Sequence, residues 1–363
     1  MLNKIIIAGG GTGGHVFPAI AIANLLKEHY SNLNILFVTA NGMEVPIIQK
    51  NNFPYKNIWI SGFYRQFTFK NFIRNLSLPL KLLVSRYQAK HILKEFQPQI
   101  VLGVGGYAAY PMLEQAINYQ IPTVIQEQNA YPGLANRMLA PKVDLVLLGN
   151  KLASEKLESK RKVYCGNPVR KSIFNGNKHN FCKNFDLDVE KKTLLILGGS
   201  LGAKTLNLAL QNHYLQLLRE GFQIIWQCGK IYYEELKKSI TPQKGLLLMP
   251  FIEDMAGAYA TADLVVSRAG AMSVSEIMNL RKPSILVPSP NVADDHQTFN
   301  ARSLADFGAA ITIPDELLKA KLPEQIHYLF YKKGIETMQQ KLNMLELPDT
   351  EQIILKEIQQ LVS

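Results

Sequence analysis

The chain has 363 residues, 47% hydrophobic and 19% charged, with 40 Lys+Arg against 29 Asp+Glu and a formal net charge of +11. That composition excludes a disordered tail protein, which needs low hydrophobicity and high charge. At roughly 100–200 residues per domain it predicts two domains, each able to bury its own core.

The charge is uneven. Residues 1–170 hold 19 basic and 8 acidic side chains, whereas residues 171–363 hold 21 of each. The stretch Val45 to Lys94 has 9 bases and no acid, which suits phosphates, nucleic acid or anionic lipid alike. Cys165, Cys182 and Cys228 are widely spaced with no CxxC pair, which argues against a disulfide framework or a thiolate metal site and fits a reducing compartment.

In chain order, the opening MLNKIIIAGGGTGGH has an apolar run too short for a signal-peptide core and reads as a buried first strand, Ile5–Ala8. The helix-length segment Pro18–Glu28 and the strand-like run Ile35–Val38 follow. Next come the helix Lys81–Phe96 and the runs Ile100–Val104, Thr123–Ile125 and Leu145–Leu148. The polar segment Lys160–Lys192, with Asn167-Pro168 and Asn175-Gly176, reads as the junction. Beyond it the strand-like runs are Leu194–Leu197, Ile224–Trp226, Leu246–Met249, Leu264–Val266, Ile285–Val287 and Ala310–Ile313, with helices Leu206–Arg219 and Gln297–Phe307 among them. Alternation of apolar strands with helices predicts parallel sheets covered on both faces. The opening IIIAGGGTGGH is echoed by LLILGGSLGA, which predicts two Rossmann-like domains in tandem. Ile353, Ile354, Ile358, Leu361 and Val362 recur at helical spacing, predicting a terminal helix that crosses back to the first domain. No window offers about 18 uninterrupted apolar residues, so the chain is expected to be soluble or to lie on a membrane rather than span it.

Five segments carry candidate chemistry. Gly9–His15 follows a strand and opens a helix, where glycines allow close backbone approach and the helix N-terminus favours an anion. Gly9, Gly11 and Gly14 also satisfy G-x-G-x-x-G, but Thr39 and Ala40 stand where a dinucleotide site needs an acid, and the first acid is Glu44. His15, at the helix start, should stay neutral and suits a general base; packing or capping is the alternative. Gly198–Ala203 repeats the logic, with Ser200 either a phosphate ligand or an N-cap. In SRAGAMSVSE, Glu276 either accepts ribose hydroxyls or is a solvated helix residue. Asp294, Asp295, His296 and Gln297 suit a polyhydroxyl ligand or helix capping better than a metal, because no further ligand completes a set. Glu127-Gln128-Asn129 follows a strand end, and Arg170 lies where it could reach a phosphate across a cleft. The P-loop pattern GxxxxGK[ST] does not occur.

The ordered set GGGTGGH, GVGGY, EQN, GNPVR, GGSLGA, FIEDM, RAGAMSVSE and DDHQTFNA resembles the MurG family of bacterial cell-wall glycosyltransferases. The resemblance implies the GT-B architecture: an α/β fold of two Rossmann-like domains with parallel sheets, facing a cleft. Residues 1–165 would form the acceptor- and membrane-facing domain, with a helix at about 345–363 packed back on it, and 166–344 the UDP-GlcNAc-binding domain. It implies inverting transfer of GlcNAc from UDP-GlcNAc to the 4-hydroxyl of the muramoyl sugar of lipid I, giving lipid II, with no cofactor and no metal. Thr12, Gly13 and Gly14 would face the diphosphates, and Asn129 and Arg170 match donor-binding positions. Ser200 would meet the UDP phosphates and Ile252 the uracil. Ala271, Met272, Ser273, Val274, Ser275 and Glu276 would hold the nucleotide, with Glu276 on the ribose, and Gln297 the GlcNAc. His15 is the favoured base and Glu127 its rival.

The basic stretch then reads as a membrane contact rather than a nucleic-acid face, through Phe63, Arg65, Phe67, Phe69, Lys70, Phe72 and Arg74. The expected location is peripheral, at the cytoplasmic face of the cell membrane, with other cell-wall enzymes as possible partners. The competing readings are a UDP-GlcNAc 2-epimerase of the same architecture, a nicotinamide dehydrogenase, and a non-catalytic sugar-nucleotide binder.

Overall fold

The computed structural model describes residues 2–10, 13–42, 44–62, 68, 75–199 and 201–362. The chain divides into two compact units, Met1–Pro168 with Pro348–Ser363, and Val169–Leu347.

The first unit is built on seven strands: β1 (Lys4–Ala8), β2 (Asn34–Thr39), β3 (Tyr55–Asn57), β4 (Ile100–Gly103), β5 (Thr123–Glu127), β6 (Leu145–Leu148) and β7 (Lys162–Tyr164). They form one parallel sheet in the order β3-β2-β1-β4-β5-β6-β7. The period-2 alternation of strand side chains sends Ile5 and Ile7 to one face and Ile6 and Ala8 to the other. Both faces are dry, so every residue of the run is apolar. One face packs on the helix Gly13–His29 and the other on the helix Leu78–Phe96, through Ala89, Ile92 and Leu93.

The terminal helix Thr350–Val362 belongs to this unit. Asp349 accepts from the Gln352 amide at its start, at 3.0 Å. Ile354 and Ile358 are buried in the same core as Ile5 and Leu102. Arg161 pairs with Glu357 of that helix at 2.6 Å.

The second unit holds β8 (Thr193–Leu197), β9 (Gln223–Gln227), β10 (Leu246–Met249), β11 (Leu264–Arg268), β12 (Ser284–Val287) and β13 (Ile311–Thr312). Their order is β10-β9-β8-β11-β12-β13, again all parallel. Both sheets reverse strand order once, between β1 and β4 and between β8 and β11. In open α/β sheets, ligands bind beyond the strand ends at that reversal.

Two strands lie outside the expected set, β3 and β7. Each is a three-residue edge strand with one neighbour, so it needs no apolar run; Lys56 and Lys162 sit within them. The junction segment therefore begins with a strand that completes the first sheet. Among the described residues, no helix is long and apolar enough to cross a membrane.

Candidate functional site

In the first unit the reversal point is built by two interlocked glycine loops. Gly9 and Gly10 leave β1 with positive φ, and the Gly10 amide donates to the Gly105 carbonyl at 3.4 Å. Gly106 sits at φ +80°, and a Cβ there would collide with the Gly10 carbonyl oxygen. His15, the third residue of the helix Gly13–His29, lies half-buried against the same loop: a Cβ on Gly105 would stand 3.0 Å from its Nε2. Gly13 and Gly14 form the helix start beside it. Thr12 lies outside the described residues.

Glu44 is fully buried and folds back beneath this turn. It accepts from the Thr39 hydroxyl and, at 3.1 Å, from the Gly42 amide. A carboxylate therefore sits just beyond the end of β2, bonded to Thr39 and to the Gly42 amide of the loop that follows that strand.

Glu127 ends β5 and is 1% exposed. Its Oε1 accepts from the Asn129 amide and side chain at 2.9 and 3.1 Å; its Oε2 accepts from the Gly133 amide and Asn136 Nδ2 at 3.0 and 2.8 Å. The predicted acid and its predicted neighbour Asn129 are thus bonded to each other. Gln128 Nε2 donates to the Val104 carbonyl at 2.9 Å, which ties this loop to the glycine loop after β4.

In the second unit, the loop after β8 is equally tight. Gly202, at φ +81°, leaves no room for a Cβ beside the Cys228 carbonyl. Ser200 lies outside the described residues. Gln227, at the end of β9, donates to the Gly199 carbonyl at 3.0 Å and accepts from the Ile252 amide at 2.9 Å. Ile252 itself is buried in the core. Sequence reasoning missed Gln227; its signal was an amide ending an apolar strand.

The helix Ala271–Asn279 opens at the reversal point after β11. Its periodicity sorts the predicted nucleotide residues. Ala271 and Val274 are buried, and the buried Ser275 hydroxyl donates to the Ala271 carbonyl at 2.8 Å. Met272, Ser273 and Glu276 are half-buried on the other side. Glu276 lies 3.6 Å from Arg170 Nη2, and the Tyr259 hydroxyl donates to its Oε2 at 3.2 Å. Burial pushes the Glu276 carboxyl above its ordinary pKa, while Arg170 and Tyr259 pull it back. Arg170 thus meets the carboxylate predicted for the ribose.

Arg268, a charged residue ending an apolar strand, is a second residue that sequence reasoning left without a role. It pairs with Asp315 at 2.5 Å and donates to Thr205 Oγ1 at 2.6 Å and to the Val287 and Pro288 carbonyls at 3.3 Å. Thr205 lies in the first turn of the helix Lys204–Arg219, so Arg268 ties that helix N-terminus to the ends of β11 and β12. Asp294 and Asp295 both adopt left-handed backbone, and Asp295 accepts from Thr298 Oγ1 at 2.7 Å. Gln297 follows, its side-chain oxygen accepting from the Ser289 amide at 2.9 Å. Among the described residues, no three His, Cys, Asp or Glu side chains gather as a metal site.

Phe63, Arg65, Phe67, Phe69, Lys70, Phe72 and Arg74 lie outside the described residues. Their described neighbours Leu76, Leu80, Leu83 and Tyr87 form an exposed stripe at helical spacing, 56–70% accessible.

Comparison with known proteins fits this geometry. Residues 5–148 match the glycosyltransferase family 28 N-terminal domain, and residues 193–353 the family 28 C-terminal domain. The UDP-N-acetylglucosamine–N-acetylmuramyl-(pentapeptide) pyrophosphoryl-undecaprenol N-acetylglucosamine transferase of Phocaeicola vulgatus is 42% identical over 98% of this chain and 95% of its own. The crystal structure of Acinetobacter baumannii MurG superposes with a TM-score of 0.77 at 31% identity, covering 99% of both chains. A UDP-GlcNAc 2-epimerase from Neisseria meningitidis shares the fold alone, with a TM-score of 0.64 at 13% identity over 98% of this chain and all of that one. With both family 28 domains and full-length identity of this order, the chain belongs to the MurG glycosyltransferases.

Proposed function

We propose that this chain transfers GlcNAc from UDP-GlcNAc to the 4-hydroxyl of the muramoyl-pentapeptide on undecaprenyl diphosphate, converting lipid I to lipid II for peptidoglycan synthesis. The observation that carries it is that the motifs from Gly9 to Ala301 all follow strands of two parallel sheets, those after β1 and β4 and those after β8 and β11 flanking the two reversal points. The 2-epimerase reading has only a shared fold behind it.

The acceptor 4-hydroxyl attacks C1 of GlcNAc on the face opposite UDP. The bond from C1 to the phosphate oxygen breaks, its electron pair leaves with UDP, and the configuration at C1 inverts. His15 takes the hydroxyl proton as general base. Glu127 is the poorer base, because four donors already occupy its two oxygens. It holds the loop carrying Asn129 instead.

Departing UDP carries negative charge. The N-terminus of the helix Lys204–Arg219 supplies backbone N–H groups and a positive dipole end to receive it; Ser200 is assigned to the same phosphates. Glu276 accepts the ribose hydroxyls, the loop at Ile252 takes the uracil, and Gln297 holds the GlcNAc.

The lipid-linked acceptor requires work at a membrane surface. Leu76, Leu80, Leu83 and Tyr87, with the exposed Lys90 and Lys94 on the same helix, suit peripheral contact with an anionic leaflet. Labelled UDP-GlcNAc is supplied with and without a lipid I analogue. Acceptor-dependent release of UDP is expected; formation of the 2-epimer without acceptor, or no turnover, would overturn the assignment.

A further inference from the structure

The Glu276 carboxylate has a neighbour that no motif contains. Tyr259 belongs to the helix Met255–Thr261 and is 1% exposed. A phenol buried that deeply needs a hydrogen-bond partner for its hydroxyl. Its partner is Glu276 Oε2, while Arg170 Nη2 stands 3.6 Å from Oε1. The two carboxylate oxygens are thus addressed separately, one by a neutral donor from the core and one by a guanidinium.

We propose that Tyr259 is a positioning residue for donor recognition: its hydroxyl fixes the rotation of the Glu276 carboxylate so that the remaining lone pairs of both oxygens meet the two vicinal hydroxyls of the ribose. The proposal rests on the assignment of Glu276 to the ribose.

Three features support it. First, a carboxylate accepts through two oxygens, but without an internal anchor its end group turns broadly about the last bond. One fixed donor on Oε2 removes that freedom and leaves the group preorganised. Second, Glu276 is only 14% exposed, so water does little to hold it. Burial raises its pKa, and the Arg170 and Tyr259 contacts oppose that rise. Third, the helix that carries Tyr259 begins immediately after the loop of Ile252. Its N-cap, Asp254, accepts from the Gly257 amide at 2.8 Å. One short capped helix therefore sets both the Ile252 loop and the hydroxyl that orients Glu276.

The test uses full-length protein, UDP and 2′-deoxy-UDP as probes, and the change Tyr259→Phe, which keeps the ring and removes only the hydroxyl. In the wild-type protein UDP is expected to bind more tightly than 2′-deoxy-UDP. Loss of this preorganisation predicts that Tyr259→Phe weakens UDP by about two- to tenfold, the cost of ordering one freed side chain on binding, and shrinks the UDP to 2′-deoxy-UDP preference. KM for UDP-GlcNAc rises by a similar factor while kcat at saturating donor holds. In a Glu276→Ala background, Tyr259→Phe should change the preference no further, whereas a packing role would act equally in both backgrounds. An unchanged preference in Tyr259→Phe, or equal effects in both backgrounds, overturns the proposal. Equal binding of both nucleotides by the wild type overturns the ribose assignment of Glu276 itself, and the two failures are thereby told apart.

Discussion

The roles of His15 and Glu127 separate cleanly under the change Glu127→Gln. A general base at Glu127 would be silenced by that change with the fold intact. An organising carboxylate would fail differently, because four donors converge on it: Asn129 N and Nδ2 on Oε1, Gly133 N and Asn136 Nδ2 on Oε2. A glutamine keeps one oxygen and sets an NH2 against the other two donors. Each buried donor left without an acceptor costs about 1–3 kcal/mol, so the change costs roughly 2–6 kcal/mol. That is a large share of the roughly 5–15 kcal/mol that holds a domain together.

The loss should be local first, because both backbone donors lie in the loop that leads into the helix Leu134–Leu139. Hydrogen exchange over residues 129–136 is the direct assay, with Asn129 and Gly133 amides expected to lose protection. Turnover should fall through both kcat and KM. His15→Ala is the counterpart: kcat falls by about 10²–10⁴-fold, the span of general-base catalysis, while UDP affinity holds. Native exchange protection in Glu127→Gln, together with a kcat loss of that size at unchanged KM, would refute this reasoning and make Glu127 the base.

Gly106→Ala should destabilise the first unit by more than the about 1–2 kcal/mol of a left-handed backbone alone, since its Cβ meets the Gly10 carbonyl. Calorimetric UDP binding should persist while turnover is lost. Arg268→Lys keeps the charge but loses the planar fork that reaches Asp315, Thr205 and two carbonyls. Weaker UDP binding and an unfolding free energy lower by about 1–3 kcal/mol are expected, measured by urea titration. Burial pushes the Cys165 thiol up to about 12 and Cys228 up to about 11. Both stay protonated at neutral pH, and Cys182 is buried as well. A chromogenic disulfide reagent should therefore find no reactive thiol until the protein is unfolded.

The parallel architecture was legible because strands buried on both faces must be apolar throughout, as Ile5, Ile6 and Ile7 are. β3 and β7 were not legible, since an edge strand of three residues can carry a lysine. The glycine motifs were equally visible, for their function is written in local backbone geometry. Gln227, Arg268 and Tyr259 escaped because their roles arise from long-range bonds; Arg268 reaches Thr205 across 63 residues and Asp315 across 47. Glu127 shows the converse. Its place at a strand end marked it as a candidate base, but nothing local signals that Asn129, Gly133 and Asn136 turn back upon it.

The folded units also change how the net charge should be weighed. By halves of the sequence, the entire surplus lies in residues 1–170. The returning terminal segment brings Asp349, Glu351 and Glu357 against Lys356 alone. The first unit thus holds 19 bases and 11 acids, and the second 21 and 18. Net charge per unit is therefore a weak argument for a membrane face. Local charge is a stronger one, because exposed charges act over a Debye length of about 8–10 Å. The nine bases from Val45 to Lys94 are not all available to a membrane either. Lys56 pairs with Glu95 at 2.6 Å, and Arg86 is held by both oxygens of Glu114 at 2.5 and 2.6 Å. At about 1 kcal/mol for each base near an anionic leaflet, these two pairs remove about 2 kcal/mol from what nine bare cations would supply. In the proposed membrane contact the charge-based part is salt-sensitive, and the exposed apolar stripe of Leu76, Leu80, Leu83 and Tyr87 is expected to carry the binding that survives at high ionic strength.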